Sequence, residues 1–286
     1  MTRLVAIFRS RRGWALLSAH FSFFFAALAG IVQLVLAVRP TVELQGGRTI
    51  VGMIALSCLW ALMRSAPRQS IGRHFKQPDF SVTVKVGDLF AEQSDLIIGF
   101  TDVFDTSTEA GDIIAPRSVQ AQFLDKVFSG DASALDAALE VALSGAAIRE
   151  SESEVSKPRG KRDRYPLGTV AVVAKGANRY YCVAYSHMSN DLVARSSVDY
   201  LWQGLSSVWS AVASSGQLQP VAVPVLGSDL ARVGSLGRES LIKMIILSFV
   251  ASSRVSLISR KLTVVVHPSG ADEVNLSEVQ AFLGSL

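Results

Sequence analysis

Three short segments carry the side chains best able to hold a ligand. The first is residues 86–90, Val-Gly-Asp-Leu-Phe. Gly87 permits a tight turn there, and the Asp88 carboxylate can cap the following segment or accept hydrogen bonds from a ligand amine. Taken alone, capping is the simpler account. The second segment is residues 100–106, where Phe100, Thr101, Asp102, Val103, Phe104, Asp105 and Thr106 follow one another. Two carboxylates, two hydroxyls and two rings are more chemistry than a plain connection needs. Residues 113–120 come next, open a helix and supply Gln120. The third is residues 224–234, an apolar run that enters Leu226, Gly227, Ser228 and Asp229 and continues through Ala231 and Arg232. Free backbone N–H groups in such a turn, at the start of a helix, suit a phosphate, and Arg232 adds positive charge. An ordinary strand-to-helix turn explains the same residues equally well.

Catalytic signatures are missing from this set. No Ser/His/Asp or Cys/His constellation is evident, and nothing matches a Walker loop or a GxGxxG fingerprint. The carboxylates of the second segment form no assignable acid–base pair, so binding is expected ahead of catalysis and no catalytic residue is assigned. The histidines, His20, His74, His187 and His267, are scattered and share no zinc-ligand spacing with Cys58 and Cys182. No metal and no cofactor is predicted. Two separated cysteines in apolar surroundings imply no disulfide and a reducing compartment.

The elements that must position these segments are short strands alternating with helices. Val82, Val84 and Val86 alternate as in a half-buried strand over residues 81–86, and residues 95–100 form a continuous apolar run suited to a strand buried on both faces. Further strands are expected at 169–174, 180–185, 220–225 and 262–267. Ser197 precedes an apolar stripe of helical period (Val198, Leu201, Trp202, Leu205, Val208, Trp209, Val212) that closes at Gly216. Helices are also expected at 132–148, 236–250 and 275–283. This alternation predicts a three-layer α/β/α domain with a mixed, mostly parallel sheet. Ligands of such sheets bind at the carboxyl ends of the strands, where all three segments fall. Residues 150–164, acidic at the start and basic at the end (Lys157, Arg159, Lys161, Arg162, Arg164), are expected to form an exposed, solvated loop.

Composition sets this domain behind a membrane module. The chain has 286 residues, 49% hydrophobic and 18% charged, with a mean hydropathy of +0.34. The apolar excess is local. Residues 13–38 contain no Asp, Glu, Lys or Arg and would reach about 39 Å as a helix, enough for a hydrocarbon core about 30 Å thick. This run is too long for a signal-peptide core. A second run, residues 49–63 between Arg48 and Arg64, is short for a full span. A turn at Arg39, Pro40, Glu43, Gly46 and Gly47 makes the pair a helical hairpin. His20 and Gln33 are its polar members, read as packing or interface residues. Arg3, Arg9, Arg11 and Arg12 precede the hairpin and Arg64, Arg68, Arg73 and Lys76 follow it. The positive-inside rule then places both termini and the large domain in the cytoplasm. Basic residues committed to membrane flanks leave little for nucleic acid, which is not expected as a partner. The resulting division is a two-helix transmembrane module over 1–64, a linker over 65–79 and a ligand-binding domain over 80–286.

These loops together resemble a macro domain, a fold that binds ADP-ribose and its derivatives. Gly87-Asp88-Leu89 is similar to the Gly-Asp-Ile segment whose aspartate contacts the adenine amino group. Residues 225–229 resemble the loop that wraps the diphosphate and distal ribose. Adding residues 84–90, 104–106, 113–123, 165–170, 184–186 and 225–232, with the hairpin in front, the chain is similar to one branch: Thoeris antiphage-defence effectors with two transmembrane helices and a macro domain.

The resemblance implies a multi-pass protein of the bacterial inner membrane. A partner TIR-domain protein makes an ADP-ribose-derived signal from NAD, in this branch ADP-ribose joined to histidine. The macro domain binds it, and the hairpin oligomerises and disrupts the bilayer, ending in abortive infection. The site residues it implies are Asp88, Leu89, Phe100, Thr101, Asp102, Phe104, Asp105, Thr106, Gln120, Leu226, Gly227, Ser228, Asp229, Ala231 and Arg232. The chain departs from enzymatic macro domains where Thr101–Asp105 replaces their asparagine-rich stretch. An acidic loop there could pair with the amino group of a histidine moiety. A membrane-bound ADP-ribosylhydrolase or NAD-consuming enzyme is the alternative reading, and an anchor that recruits ADP-ribosylated proteins is a third.

Overall fold

The computed structural model describes residues 11–39, 46–64, 69–108, 113–228, 233–234 and 236–286. The chain separates into two compact units, Met1–Gln69 and Ser70–Leu286.

The first unit holds helices α1 (Arg11–Val38) and α2 (Gly46–Arg64). Both contain a stretch long and apolar enough to cross a membrane, Leu17–Val38 and Gly46–Arg64. The second helix outruns its apolar core because Gly46 and Gly47, expected in the turn, and the flanking Arg48 and Arg64 already belong to it. Its 19 residues give about 28 Å, close to the thickness of a hydrocarbon core. The helices pack through Phe24 and Trp60, whose rings stack with centroids 4.8 Å apart. Ser57 and Ala61 are buried, and such small residues let helix backbones approach. Phe23, Ile31, Leu34, Val51 and Met63 stay exposed, an apolar surface suited to lipid tails. Of the expected turn, Pro40 and Glu43 lie outside the described residues.

The second unit is built on one sheet. In chain order its strands and helices are β1 (Ser70–Lys76), β2 (Asp79–Val86), β3 (Asp95–Thr101), α3 (Val119–Phe128), α4 (Ala132–Leu143), β4 (Glu150–Ser151), β5 (Asp163–Arg164), β6 (Val170–Lys175), β7 (Asn178–Met188), β8 (Ala194–Arg195), α5 (Val198–Ser215), β9 (Val221–Pro224), α6 (Arg238–Val255), β10 (Lys261–Val266) and α7 (Leu276–Ser285). The sheet order is β1-β2-β10-β9-β3-β7-β6, with β8 paired to β7. From β2 to β7 every pairing is parallel, while β1 and β6 close the edges antiparallel. The sheet is therefore mixed and mostly parallel, as expected. β4 and β5 pair with each other apart from it.

Alternate residues along β3 feed two cores. Ile98 and Phe100 pack with Phe123, Leu124, Leu135 and Leu139 of α3 and α4. Ile97 packs with Leu205, Trp209, Ile245 and Phe249 of α5 and α6. The result is a three-layer α/β/α unit. Helix starts follow local chemistry: Ser118, Asp131, Ser197 and Asn275 each accept a hydrogen bond from a first-turn N–H.

Two expectations change. Residues 70–79 are not linker, because Ile71 and Phe75 are buried and Phe75 stacks on Phe80 at 4.6 Å. Residues 150–164 are mostly exposed, as expected, but two of their basic side chains are not. Lys157 and Arg164 are 0% and 2% exposed, drawn inward by Asp105 and Asp102.

Candidate functional site

The strands β3, β7 and β9 end at one rim of the sheet, and the loops that follow them enclose a cavity of about 310 Å³. This is at the lower end of the roughly 300–1,000 Å³ typical of small-molecule sites. Gly99 sits in its floor. A Cβ there would lie 2.5 Å from Tyr185 Cε1 and 2.9 Å from Leu226 Cδ2, so only glycine lets these walls approach.

The loop after β3 divides its side chains between the cavity and the core. Phe104 holds φ at +52°, a left-handed conformation that costs a bulky residue about 1–3 kcal/mol. Its ring supports that turn by stacking on Phe100 at 5.5 Å and meeting Tyr165 edge-on at 5.6 Å. The reversal sends Asp102 and Asp105 to different partners. Asp102 is fully buried, with Oδ2 3.0 Å from Arg164 Nη1 and 2.7 Å from His187 Nδ1, and Oδ1 accepting from the Met188 N–H at 2.8 Å. It is 0% exposed and does not line the cavity.

Asp105 lines the cavity and is 2% exposed. Its Oδ1 accepts from the Lys161 N–H at 2.5 Å. Its Oδ2 lies 3.6 Å from the buried Lys157 ammonium and accepts no hydrogen bond among the described residues. Burial pushes the Asp105 carboxyl above the usual carboxylate range, against the pull of the Lys161 N–H and the Lys157 charge. Burial likewise draws the Lys157 ammonium below the ordinary lysine range. Thr101, also on the cavity wall, has a buried Oγ1 with no hydrogen-bond partner among the described residues. Buried polar atoms are nearly always satisfied. Thr101 Oγ1 and Asp105 Oδ2 are therefore two unsatisfied polar atoms on residues of one cavity wall, both themselves buried.

The structure gathers seven of the sequence-derived residues on this cavity: Phe100, Thr101, Asp105, Gln120, Leu226, Gly227 and Ser228. Gln120 also donates its side-chain N–H to the Asp105 carbonyl. Asp102, Phe104 and Thr106 lie behind the wall, Thr106 bonding Asp136 at 2.6 Å. Asp88 and Leu89 sit outside the lining. Asp88 accepts from the Phe90 N–H at 3.0 Å and pairs with Lys126 at 2.7 Å. The Lys126 hydrogen bond holds the Asp88 carboxyl below its usual range, against the effect of burial. Asp229, Ala231 and Arg232 lie outside the described residues.

Ile114 and Ser186 fall in the segments 113–123 and 184–186 but were not named as site residues, while Met188 and Leu192–Ala194 lie outside every segment singled out. Met188 was within reach, since β7 runs beyond its expected end at residue 185. Leu192, at φ +61° in the short return to β8, carries no chemical signature. Arg238 was missed as well. At the start of α6 it pairs with Glu273 at 2.7 Å and reaches Ser228 Oγ at 3.3 Å. Among the described residues, no group of His, Cys, Asp and Glu could hold a metal.

The family model of the Thoeris protein ThsA macro domain matches residues 82–267. The chain belongs to the Thoeris ThsA macro-domain family. A curated relative, Thoeris protein ThsA of Bacillus amyloliquefaciens (strain Y2), is 24% identical over 207 residues, 70% of this chain and 67% of that protein. Among solved structures, the Oceanobacillus iheyensis macrodomain with ADP superposes with a TM-score of 0.50 at 10% identity, covering 76% of this chain and 99% of its own. That likeness bears on the fold alone. The chain is thus a Thoeris antiphage-defence protein whose second unit is a macro domain of the ADP-ribose-binding kind.

Proposed function

We propose that the cavity beside β3, β7 and β9 receives an ADP-ribose-derived signal made by a TIR-domain partner, and that the chain acts as a membrane effector rather than an enzyme. The observation that carries the reading is the pair of buried acceptors, Thr101 Oγ1 and Asp105 Oδ2, without hydrogen-bond donors on the cavity wall. A signal with a cationic or hydroxyl-rich end supplies those donors. The turn at Leu226, Gly227 and Ser228, with Arg238 beside Ser228, suits the diphosphate by backbone N–H groups and charge. Histidine joined to ADP-ribose fits this division, with its amino group at Asp105.

In this reading α1 and α2 are the output. They form a multi-pass anchor in the inner membrane with both termini and the macro domain in the cytoplasm, following the flanking arginines. Occupancy favours a state in which several hairpins assemble, since a ligand shifts an equilibrium only by its differential affinity for two states. The assembled hairpins disrupt the bilayer and stop the infected cell.

The test uses the full chain in detergent. Calorimetry with ADP-ribose and with its histidine conjugate should show the conjugate tighter. Thr101→Val should cost about 1 kcal/mol, several-fold in affinity. Equal binding of both ligands, unchanged by Thr101→Val and Asp105→Asn, would sink the assignment. Sedimentation of the same mass with and without ligand would sink the assembly step. Turnover of NAD or of ADP-ribosylated protein would restore the hydrolase reading.

A further inference from the structure

Two buried ion pairs fasten residues 150–164 to the loop that walls the cavity, and they differ in quality. Arg164 is fully engaged. Its guanidinium donates to Asp102 at 3.0 Å, Met188 O at 2.8 Å, Glu152 at 2.8 Å and Asn190 at 2.7 Å. Lys157 is not. It reaches the Lys161 carbonyl, but its ammonium stays 3.6 Å from Asp105 Oδ2, beyond hydrogen-bond distance. The good pair lies behind the wall, and the poor one abuts the cavity through Asp105.

Gly160 keeps the poor pair in place. Its φ is +77°, and a Cβ would stand 2.8 Å from Asp105 Oδ1 and 2.9 Å from Lys157 Nζ. The chain therefore folds a lysine from its own insertion against Asp105, a cavity-lining residue whose buried Oδ2 has no hydrogen-bond partner among the described residues. That lysine is 0% exposed, so loss of its counter-charge would force it either to give up its proton or to move out to water.

We propose that Lys157 is a specificity-determining residue, a resident cation that a ligand's own cationic group must displace from Asp105. This rests on the ligand site proposed above. A ligand ammonium at hydrogen-bond distance from Oδ2 makes a stronger contact than a pair 3.6 Å apart. Lys157, deprived of its partner, leaves its pocket and takes residues 153–161 with it, while Arg164 holds the base of the insertion at β5. Plain ADP-ribose is anionic and carries no such group, so it occupies the cavity without releasing the insertion. The buried lysine thereby separates an ordinary nucleotide metabolite from the cationic derivative.

The experiment combines amide hydrogen exchange and calorimetry on the full chain in detergent. The probes are ADP-ribose and ADP-ribose bearing a primary ammonium on its distal ribose. In the unaltered protein the ammonium probe, and not ADP-ribose, should speed exchange across residues 153–161 while Arg164 stays protected. Lys157→Met should raise affinity for the ammonium probe about tenfold, as removal of a competing buried charge does, and leave ADP-ribose affinity unchanged. Lys157→Arg should restore the original ratio. Equal exchange at 153–161 with the two probes overturns the proposal without needing any variant. So does a Lys157→Met protein in which both affinities move together. Failure of both probes to bind the unaltered protein overturns the ligand site itself, and with it this inference.

Discussion

Replacing Arg164 with methionine removes a guanidinium that is 2% exposed and strips Asp102, 0% exposed, of its cationic partner. The methionine fills much of the same volume, so the loss is electrostatic more than steric. Breaking a buried pair by removing one member costs about 3–5 kcal/mol, because the remaining charge is left without compensation. Asp102 keeps the Met188 N–H and His187, which favours the lower end, while Glu152 and Asn190 also lose a donor. About 3 kcal/mol is expected. At roughly 2–4 °C per kcal/mol for a domain of this size, the melting temperature of the macro unit should fall by about 6–12 °C. Replacing both members, Asp102→Leu with Arg164→Met, removes the stranded charge and should recover part of the loss. The double-mutant cycle in thermal or urea unfolding reads the coupling directly. A single Arg164→Met cost below about 1 kcal/mol, or a double variant equal to the sum of its singles, would refute the view that this pair secures the insertion.

Other expectations follow from single contacts. Asp88→Asn should keep the cap on Phe90 but lose the ion pair with Lys126, costing about 0.5 kcal/mol near neutral pH. Because the folded Asp88 carboxyl sits below its ordinary range, its contribution is present above the unfolded pKa and is lost as pH falls through the folded one. Urea unfolding of both proteins should therefore converge in acid and diverge toward neutrality. Gly99→Ala should lower ADP-ribose affinity more than stability, since its methyl meets Tyr185 and Leu226 at the cavity floor; calorimetry beside thermal melting separates the two. Ser248→Ala should cost about 1–3 kcal/mol in thermal unfolding, leaving the buried Trp209 N–H without the acceptor it now has at 3.0 Å.

Much of the framework was legible because periodicity and burial are local properties. Val82, Val84 and Val86 alternate along β2, the stripe of Leu201, Leu205, Val208, Trp209 and Val212 defines α5 while Val198 and Trp202 stay exposed, and Gly216 ends it where expected. β1 escaped notice because Ile71 and Phe75 are its only large apolar residues, spaced among Arg73, His74 and Lys76. The site was legible in its segments and not in its pairings. Asp102 and Asp105 look alike in sequence. One pairs with Arg164, 62 residues away, and the other lies on the cavity wall against Lys157. The burial of Lys157 was hidden for the same reason. A run of charges reads as solvated, and nothing local tells that Lys157 and Arg164 meet buried counter-charges in Asp105 and Asp102. The placement of Asp88 depends on Lys126, 38 residues distant, which no local pattern reveals.

The pairing of β4 with β5 has a bearing on how such a receptor diversifies. Glu150 stands opposite Arg164 and Ser151 opposite Asp163, so the insertion leaves and re-enters the chain at nearly one point. A segment whose ends already meet can be lengthened, shortened or exchanged at small entropic cost, because loop closure depends only weakly on length. The parallel strands that hold the cavity floor need not be rethreaded when this happens. Variation confined to a single contiguous cassette would let related receptors retune which signal they answer while inheriting the sheet unchanged.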